Sequence, residues 1–457
     1  MIVMKFGGTS VESAAAIERV ASIVQARVAR QPVVVVSAMG KTTNRLLALA
    51  SDAVRGKRED ALWQLRELRE YHLEQSRQVA AEADREELER TIDEHFQELA
   101  ELVKGLAVLG ELTPRSVDAI SSYGERLSSR IVALAFRKAG MDAVHADARN
   151  VIVTDSRHTQ AQPLFDPTYA RLCAEVAPLA RAGKVVVMGG FIGATEGGVT
   201  TTLGRGGSDF SAAIAGAGIG AEEIEIWTDV DGMMTADPNS VPGAHRLKVI
   251  SFTEAAELAY FGAKVLHPST VLPAVEKNIP VLILNSRRPE VPGTRIIREA
   301  VPSKNPIKSI ACKRHITVVN LQSTRMLMAH GFLRRIFEVF DRFHTPVDMV
   351  STSEVSVSVT IDNPVRLDEI CGELSQFAEV AVEQDRAIVS LVGDNIRGTP
   401  GIGARIFRAL GKVNVLMVSL GGSQWNFSLV IAEENLKDAV RLLHDEFFRE
   451  LDPAVFD

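Results

Sequence analysis

The sequence lacks the features that mark several large classes of protein. Its 457 residues include only three cysteines, which are widely spaced and form no C-x-x-C pair. That scarcity argues against a disulfide framework and against a zinc site, and it fits a reducing, cytoplasmic setting. The longest apolar runs, such as Val33–Val36 and Val185–Met188, have the length of strands. We therefore expect neither a membrane span nor a secretion signal.

An excess of basic charge is also missing. Lysine and arginine total 51 against 58 aspartates and glutamates, so the formal net charge is −7. Because nucleic-acid binding depends on clustered positive charge, no nucleic-acid partner is predicted. The hydrophobic fraction of 46% and the charged fraction of 24% are typical of a globular chain large enough for several domains.

The order of sequence patterns predicts two architectures in succession. Short apolar runs alternate with helical patterns through the first two thirds, which indicates an α/β domain with a mainly parallel sheet. Prolines and glycines cluster at residues 289–306 and mark a boundary. Two consecutive β-α-β-β-α units follow, which form an internal repeat of order rather than of identity. We predict domains at 1–295, 313–383 and 384–457, with a spare strand at 307–312 that could complete the last unit.

Glycine-rich segments follow the first two predicted strands. Residues 5–10 read Lys-Phe-Gly-Gly-Thr-Ser, and glycine lets backbone N–H groups approach an anion while a lysine neutralises phosphate charge. An ordinary glycine-rich turn is the alternative interpretation. Residues 37–44 contain Gly-Lys-Thr, but Val35 stands where a Walker A loop requires glycine. Small hydroxyl residues at a strand end still suit substrate binding at a sheet crevice.

Residues 200–209, Thr-Thr-Thr-Leu-Gly-Arg-Gly-Gly-Ser-Asp, carry the strongest signal. Arg205 offers a bidentate fork for a carboxylate, the loop amides suit phosphate, and Asp209 could orient a neighbouring lysine. Further on, the acidic segment 227–232 could line a nucleotide pocket, and Lys264 could reach a phosphate. Three cations near glycine-rich strand ends predict phosphoryl transfer with Mg²⁺ bridging the phosphates, and no metal site formed by the protein itself.

Taken together, these motifs resemble the aspartokinases of the amino-acid kinase family over nearly the whole chain. The resemblance implies a three-layer, carbamate kinase-like α/β domain with a mainly parallel sheet, followed by two ferredoxin-like ACT domains. It implies ATP-dependent phosphorylation of the β-carboxylate of L-aspartate to 4-phospho-L-aspartate. That reaction is the first step of lysine, threonine and methionine biosynthesis.

The resemblance also implies roles for individual residues. Lys5 would stabilise the transferring phosphoryl group and Asp209 would organise that lysine. Arg205 would bind a substrate carboxylate and Glu125 the substrate ammonium group, and the other members of the aspartate pocket would be Ser37, Thr43, Phe191 and Ser208. The ATP contacts besides Lys5 would be Gly7, Gly8, Thr228, Asp229, Met234, Asn239 and Lys264. Family members often have Tyr and Arg at the positions of Met234 and Asn239, so ATP contacts there are expected to differ in detail.

The C-terminal repeat resembles the paired ACT domains of the monofunctional, lysine-sensitive class. Helix-start amides at 331–333 suit a carboxylate, and Asp348 and Glu354 suit ammonium groups. The expected effector site comprises Met326, Gly331, Phe332, Leu333, Val347, Asp348, Ser353 and Glu354. L-Lysine is the expected effector, and threonine is the alternative candidate. A homodimer formed through the ACT domains is also expected. A dimerisation module with solvated acids is the alternative.

Two other functions compete with an aspartokinase. One is a kinase of the same fold for another small carboxylate or a carbamate, against which the C-terminal repeat and the 200–209 block argue. The other is a non-catalytic amino-acid sensor with an inactive kinase domain. Intact charges at Lys5, Glu125, Arg205, Asp209 and Lys264 argue against that second alternative.

Overall fold

A computed structural model describes residues 1–262, 268–323 and 330–457. Its contacts divide the chain into two compact units that are not contiguous in sequence. The first unit comprises Met1–Met233 and Val265–Arg298, and the second comprises Met234–Lys264 and Glu299–Asp457. A single boundary near residue 295 therefore does not describe the division, because a segment within the predicted first domain packs with the C-terminal part. Over the described ranges, every helix is too short or too polar to cross a bilayer.

Strands and helices alternate through most of the chain. The strands are β1 (Ile2–Phe6), β2 (Pro32–Val36), β3 (Ala143–Ala146), β4 (Val153–Thr154), β5 (Val185–Gly189), β6 (Ile192–Thr195), β7 (Thr200–Thr202), β8 (Glu223–Thr228), β9 (Val249–Ser251), β10 (Val281–Asn285), β11 (Thr294–Ile297), β12 (Ser309–Gln322), β13 (Val350–Thr352), β14 (Ser356–Ile361), β15 (Glu379–Val392), β16 (Val415–Leu420) and β17 (Asn426–Ala432). The α-helices are α1 (Ala14–Gln25), α2 (Thr42–Val54), α3 (Arg58–Val79), α4 (Glu82–Leu109), α5 (Pro114–Ser121), α6 (Tyr123–Lys138), α7 (Ala148–Val151), α8 (Phe165–Arg171), α9 (Ala177–Arg181), α10 (Gly207–Ile219), α11 (Phe252–Tyr260), α12 (Leu272–Glu276), α13 (Phe332–Arg342), α14 (Leu367–Leu374), α15 (Ile402–Leu410) and α16 (Leu436–Phe447). A π-helical turn at Leu172–Val176 joins α8 to α9.

The main sheet of the first unit runs in the order β3-β5-β2-β1-β8-β10-β11. All its neighbouring pairs are parallel except β10 with β11, which confirms the predicted mainly parallel sheet. The register aligns Phe6 with Val36 and with Trp227, and Val36 with Gly189. Because these strands end level with one another, the residues that follow them meet at one edge of the sheet.

Helices cover both faces of this sheet. Ile2, Met4 and Phe6 lie in a hydrophobic core with the buried faces of α1, α2, α3, α4 and α6. Alternate residues of a strand point to opposite faces, and α10 packs against β1, β2 and β8 outside that core. The first unit is therefore a three-layer α/β domain, as expected. The charged stretch at 59–104 forms the long helices α3 and α4, whose apolar stripes are buried in the same core.

A small second sheet supports the glycine-rich segment of the first unit. Its order is β4-β6-β7, with β6 and β7 forming an antiparallel hairpin. Thr154 and Thr201 are buried and join β4 to β7 through their hydroxyl groups, 2.6 Å apart. Strand β7 ends at Thr202, so the sheet fixes the point at which the segment 203–209 begins.

The second unit contains an antiparallel sheet of six strands in the order β13-β14-β12-β15-β17-β16. Its two central strands are long, and each serves both β-α-β-β-α units. Residues 318–322 of β12 pair with residues 379–383 of β15, whereas residues 309–313 pair with residues 388–392. Residues 309–312 of the spare strand predicted at 307–312 therefore belong to β12 and lie beside the first strand of the last unit. A register shift at 313–318 separates the two halves of β12.

The segment 234–262 joins the second unit through buried polar contacts. Helix α11 begins with a capping box between Ser251 and Glu254. The Glu254 carboxylate lies 2.8 Å from Nζ of Lys308, and both side chains are completely buried. Glu257, one turn further on, accepts hydrogen bonds from Ser423 and Asn426 at 2.6 Å. Because an unpaired buried charge is costly, these pairs hold α11 against the C-terminal sheet.

Candidate active site

A cleft of about 500 Å³ opens in the first unit at the carboxyl edge of the main sheet. It lies where the strand ends align, which is the usual ligand position in an open α/β sheet. Seven of the eight residues that the sequence assigned to catalysis and aspartate binding line this one cleft. The lining residues are Lys5, Ser37, Thr43, Glu125, Phe191, Gly204, Gly206, Gly207, Ser208 and Asp209.

Lys5 and Asp209 form an ion pair in the cleft. Nζ of Lys5 lies 2.7 Å from Oδ1 of Asp209, and the two side chains are only 11% and 14% exposed. Lys5 comes from β1, whereas Asp209 belongs to the first turn of α10, where free backbone N–H groups favour anions. The carboxylate thus fixes the direction of the ammonium group while leaving two of its three donors available to a ligand.

Glu125 is the most perturbed acid of the cleft. It lies in the first turn of α6, is 4% exposed, and accepts one hydrogen bond at Oε1 from the backbone N–H of Ala38. Its Oε2 atom is buried and has no partner in the described part of the chain. Burial raises the pKa of Glu125 to about 8. A buried carboxyl group with an unpaired oxygen is suited to a cationic ligand.

Glycines allow the helix that carries Glu125 to approach the strand ends. A Cβ atom at Gly124 would lie 2.7 Å from Cβ of Ala38 and 3.2 Å from Oγ1 of Thr43. A Cβ atom at Gly189 would lie 3.1 Å from Cβ of Glu125. Side chains at either position would push α6 away from the sheet, so these glycines are part of the site although the sequence motifs did not single them out.

Phe191 and Ser208 meet across the glycine-rich loop. Phe191 has a φ of +64°, an unusual value for an aromatic residue, and its N–H donates to Oγ of Ser211 at 2.9 Å. A Cβ atom at Gly207 would lie 2.7 Å from the Phe191 ring, and one at Gly190 would lie 2.7 Å from Cβ of Ser208. This backbone conformation is held by its surroundings, as is common in ligand sites.

Arg205 lies beside the cleft rather than in its lining. It stands between Gly204 and Gly206, whose φ angles of +78° and +69° turn the loop back on itself. Its side chain is exposed and makes no hydrogen bond or ion pair with any residue that the structure describes. The guanidinium group is therefore available to a ligand carboxylate.

Four of the residues predicted to bind nucleotide lie at neighbouring strand ends of the first unit. Gly7 and Gly8 follow β1, and a Cβ atom at Gly8 would lie 2.8 Å from the carbonyl oxygen of Gly40. Thr228 ends β8, and its Oγ1 lies 3.3 Å from Oδ1 of Asp229. The glycine requirement and the adjacent hydroxyl and carboxylate groups fit a polar ligand, although none of these four residues lines the cleft described above.

The other predicted nucleotide contacts are placed differently. Met234 and Asn239 belong to the second unit. The backbone oxygen of Met234 accepts a hydrogen bond from Ser309, and the amide of Asn239 donates to Asp237 within a turn. Lys264 lies outside the described residues, so its role stays a prediction.

The predicted effector residues are spread over three places in the second unit. Gly331, Phe332 and Leu333 begin α13, where Gly331 has a φ of +84°. Val347 and Asp348 precede β13, and Ser353 and Glu354 form the β13–β14 turn. Among the described residues, no hydrogen bond or ion pair joins these three groups, and Met326 lies outside the described ranges.

Asp348 is the buried acid of this set. Its side chain is 2% exposed and accepts from Nζ of Lys313 at 2.6 Å and from the Tyr260 hydroxyl at 3.3 Å. Burial raises the pKa of Asp348, and the Lys313 ammonium group opposes that shift. Its Oδ2 atom is buried without a partner among the described residues. Lys313 also contacts Asp362 at 2.7 Å, so it is shared between two carboxylates.

A metal-binding cage is not present in residues 1–262, 268–323 and 330–457, where no three His, Cys, Asp or Glu side chains form a group able to hold an ion.

Comparison with known proteins identifies two families and several relatives that this chain resembles. The amino acid kinase family matches residues 1–285, and the ACT domain matches residues 389–447. Aspartokinase 2, chloroplastic, from Arabidopsis thaliana is 39% identical over 470 residues, which cover 99% of this chain and 85% of the relative.

Two crystal structures of aspartokinase III from E. coli resemble the whole chain. The complex with lysine and aspartate has a TM-score of 0.84 at 33% identity. The complex with aspartate and ADP has a TM-score of 0.83 at 34% identity. Each similarity covers 98% of this chain and 100% of the other.

Proposed function

This chain belongs to the amino acid kinase family as an aspartokinase, and from that premise we propose which of its residues carry the reaction. The reaction is phosphorylation of the β-carboxylate of L-aspartate by ATP to give 4-phospho-L-aspartate, which opens the biosynthesis of lysine, threonine and methionine. The observation that carries the assignment of residues is the convergence of Lys5, Glu125, Phe191, Ser208 and Asp209 on one cleft.

The cleft and the adjacent Arg205 offer complementary groups for the ammonium group and the α-carboxylate of aspartate. The carboxyl group of Glu125, with its unpaired oxygen, would receive the ammonium group of the substrate. The exposed guanidinium group of Arg205 would bind a substrate carboxylate through two parallel hydrogen bonds. Ser37, Thr43 and Ser208 would supply neutral hydrogen-bonding groups beside them. Binding of the ammonium group and the α-carboxylate, which are both carried by Cα of aspartate, would aim the β-carboxylate at Lys5.

Lys5 would stabilise the charge that moves during transfer. Its ammonium group is fixed by Asp209 at 2.7 Å, so it needs no reorientation when the phosphoryl group passes from ATP to the carboxylate. The N-terminal amides of α10 would add positive potential on the same side. The nucleotide would lie along Gly7, Gly8, Thr228 and Asp229, with Lys264, Met234 and Asn239 as further proposed contacts.

Mg²⁺ would enter this site with the nucleotide. Since no group of three potential ligands exists among the described residues, the ion would be held mainly by the ATP phosphates and water, as Mg²⁺ commonly is. No step of the mechanism above depends on a protein-bound ion.

We further propose that the second unit contains two ACT domains, at 313–383 and 384–457, and that the first of them binds L-lysine as an inhibitor. The buried, unpartnered Oδ2 atom of Asp348 supports a cationic ligand, and the first turn of α13 supports a carboxylate. E. coli aspartokinase III, with which this chain shares its fold, has been crystallised with lysine.

Release of ADP by the purified protein tests the regulatory proposal. With Mg-ATP and L-aspartate, millimolar L-lysine is expected to suppress turnover, and Asp348→Asn is expected to raise the inhibitory lysine concentration about 10-fold because a charge-assisted hydrogen bond is lost. Turnover without lysine should stay unchanged, since Asp348 lies outside the first unit.

Asp362→Asn is the matched control, because it removes the other carboxylate that contacts Lys313 and leaves Asp348 in place. Equal loss of lysine sensitivity in both variants would contradict a direct contact with Asp348. Suppression by threonine and not by lysine would leave the kinase assignment standing and would show that lysine is not the effector.

We also propose that the protein is a homodimer formed through the second unit. Strand β16 is an edge of the six-stranded sheet, and Leu416, Val418 and Leu420 are 40%, 39% and 49% exposed on one of its faces. An exposed apolar edge strand favours pairing with another chain. Sedimentation equilibrium at micromolar concentration should give twice the chain mass of 49.6 kDa, and a monomer mass would contradict the proposal.

A further inference from the structure

Asp118 is a buried carboxylate of the first unit that lies outside the cleft and was not singled out in the sequence. It belongs to α5 and its side chain is 0% exposed. Three groups donate to it: Nδ1 of His158 at 2.7 Å, the backbone N–H of Thr159 at 3.0 Å, and Oγ1 of Thr202 at 2.5 Å. A fully buried carboxylate with this many donors is a fixed anchor rather than a solvated acid.

The three donors come from two segments that adjoin the glycine-rich loop: the end of β7, which leads into the loop, and the connection between β4 and α8, which packs against it. Thr202 is the last residue of β7, three positions before Arg205. His158 and Thr159 belong to the connection between β4 and α8, where Thr159 has a φ of +70°. A left-handed conformation is unusual for threonine, and the hydrogen bond from its N–H to Asp118 stabilises it. The N–H of Ala161 donates to the oxygen of Thr202 at 2.9 Å, so the two segments are also joined directly.

The segment held by Asp118 lies directly against the loop. A Cβ atom at Gly204 would be 3.2 Å from the carbonyl oxygen of Thr159. The N–H of Leu203 donates to the oxygen of Phe191 at 2.9 Å, and the N–H of Gly207 donates to the oxygen of Gly204 at 3.0 Å. The backbone on both sides of Arg205 is therefore fixed, whereas the Arg205 side chain itself has no partner among the described residues.

We propose that Asp118 is a positioning residue for recognition of the substrate carboxylate, acting through Thr202 and Arg205. The inference rests on the proposed role of Arg205. Because no side-chain contact within the described residues holds this guanidinium group, its location depends on the backbone, and the backbone depends on the Asp118 anchor. Release of that anchor would let the loop sample positions from which Arg205 does not reach the carboxylate.

Steady-state kinetics of Thr202→Val and Thr202→Ser test the proposal. Valine keeps the shape of the side chain and removes the donor to Asp118, whereas serine keeps the donor. Thr202→Val is expected to raise KM for aspartate about 10-fold, with KM for ATP within about twofold of the wild type. Thr202→Ser should behave as the wild type. Asp118→Asn should follow Thr202→Val if it folds, and Thr202→Val decides the matter if it does not.

Thr201→Val is the matched control for damage to strand β7. Thr201 precedes Thr202 on the same strand, and the variant removes its equally buried hydrogen bond to the hydroxyl group of Thr154. It should leave KM for aspartate unchanged. A rise in KM for aspartate equal to that of Thr202→Val, or a Thr202→Val variant with unchanged KM, would overturn the proposal.

Arg205→Ala separates this inference from the proposed function. If Arg205→Ala leaves KM for aspartate unchanged, the role of Arg205 is wrong and the inference is overturned with it. If Arg205→Ala raises KM while Thr202→Val does not, only the inference is overturned. When both raise KM, the double variant should show no further rise beyond Arg205→Ala, since Thr202 acts through Arg205. An additive rise would overturn the proposed route.

Discussion

Replacing Lys5 with alanine is expected to lower kcat by at least ~10²-fold, which corresponds to about 2.7 kcal/mol of transition-state stabilisation. The reason is geometric as well as electrostatic. The ammonium group is 11% exposed and is already oriented by Asp209, so its charge acts where water screens it weakly. KM for aspartate should change little, because the groups proposed to bind aspartate are Glu125 and Arg205.

Stopped-time assays of ADP release, with the thermal unfolding midpoint measured on the same samples, give the comparison. Lys184→Ala serves as the control, since it removes a lysine from an exposed ion pair with Asp142 in the same unit. Surface pairs of this kind contribute little, so its kcat and unfolding midpoint should match the wild type. A Lys5→Ala enzyme with kcat within about threefold of the wild type would refute the role of Lys5.

Asp209→Asn provides an independent check on the same pair. The variant leaves the Lys5 charge in place and weakens its orientation, so it should lower kcat by less than Lys5→Ala does. Together with the double variant it measures the coupling between the two side chains. If the two losses were simply additive, Asp209 would not act through Lys5.

The cleft could be predicted from the sequence where its residues follow strands. Lys5 and Ser37 lie at the ends of two short apolar runs, and parallel strands that end in register bring such residues to one edge. The 200–209 block was informative because it concentrates turn-forming glycines, hydroxyl groups and both charges in ten positions. In these cases local chemistry and sheet topology give the same answer.

Residues that reach the site from helices could not be predicted from spacing. Glu125 accepts from Ala38, 87 positions away, and Asp118 accepts from Thr202, 84 positions away. Each lies on a helix where an acidic residue is ordinarily solvated, and only tertiary packing decides whether it is buried. Resemblance to a family supplied Glu125, whereas no motif pointed to Asp118.

The division of the chain into two units could not be predicted from the sequence for the same reason. The capping box at Ser251 and Glu254 is a local signal, and it was compatible with any helix of the first domain. What places this helix in the second unit is the pairing of Glu254 with Lys308, 54 positions later, inside a buried site. Sequence patterns report local structure, but the choice of packing partner depends on such long-range pairs.

The burial that suits Glu125 for binding a cation also costs stability. A group whose pKa rises from about 4.5 in the unfolded chain to about 8 in the fold favours the fold when protonated. As the pH rises from about 4.5 to about 8, the carboxyl group ionises in the unfolded chain but stays protonated in the fold, so the free energy of unfolding falls. Above about pH 8 the free energy of unfolding stops falling, and the total loss is on the order of a few kcal/mol. A ligand ammonium group would offset it by pairing with the ionised carboxylate.

Glu125→Gln is therefore expected to change binding and stability in opposite directions. Loss of the carboxylate should lower kcat/KM for aspartate by ~10²-fold at pH 8, because the substrate ammonium group loses a charge-assisted hydrogen bond in a buried site. The wild-type kcat/KM should rise with pH and level off above about 8, whereas the variant should lack that rise. The variant should also unfold at a higher temperature than the wild type, with a gain that grows between pH 5 and pH 8.

Glu98→Gln is the control for this pair of effects. Glu98 is 58% exposed and accepts a hydrogen bond from the hydroxyl group of Tyr123, the first residue of α6, so its carboxylate is near the same helix but solvated. Neither the pH profile nor the unfolding temperature should follow the Glu125→Gln pattern. If Glu125→Gln lost stability at pH 8, the carboxylate would be paired in the folded protein and its proposed availability to a substrate cation would be wrong. If it gained stability but kept full kcat/KM, the ammonium group of aspartate would bind elsewhere.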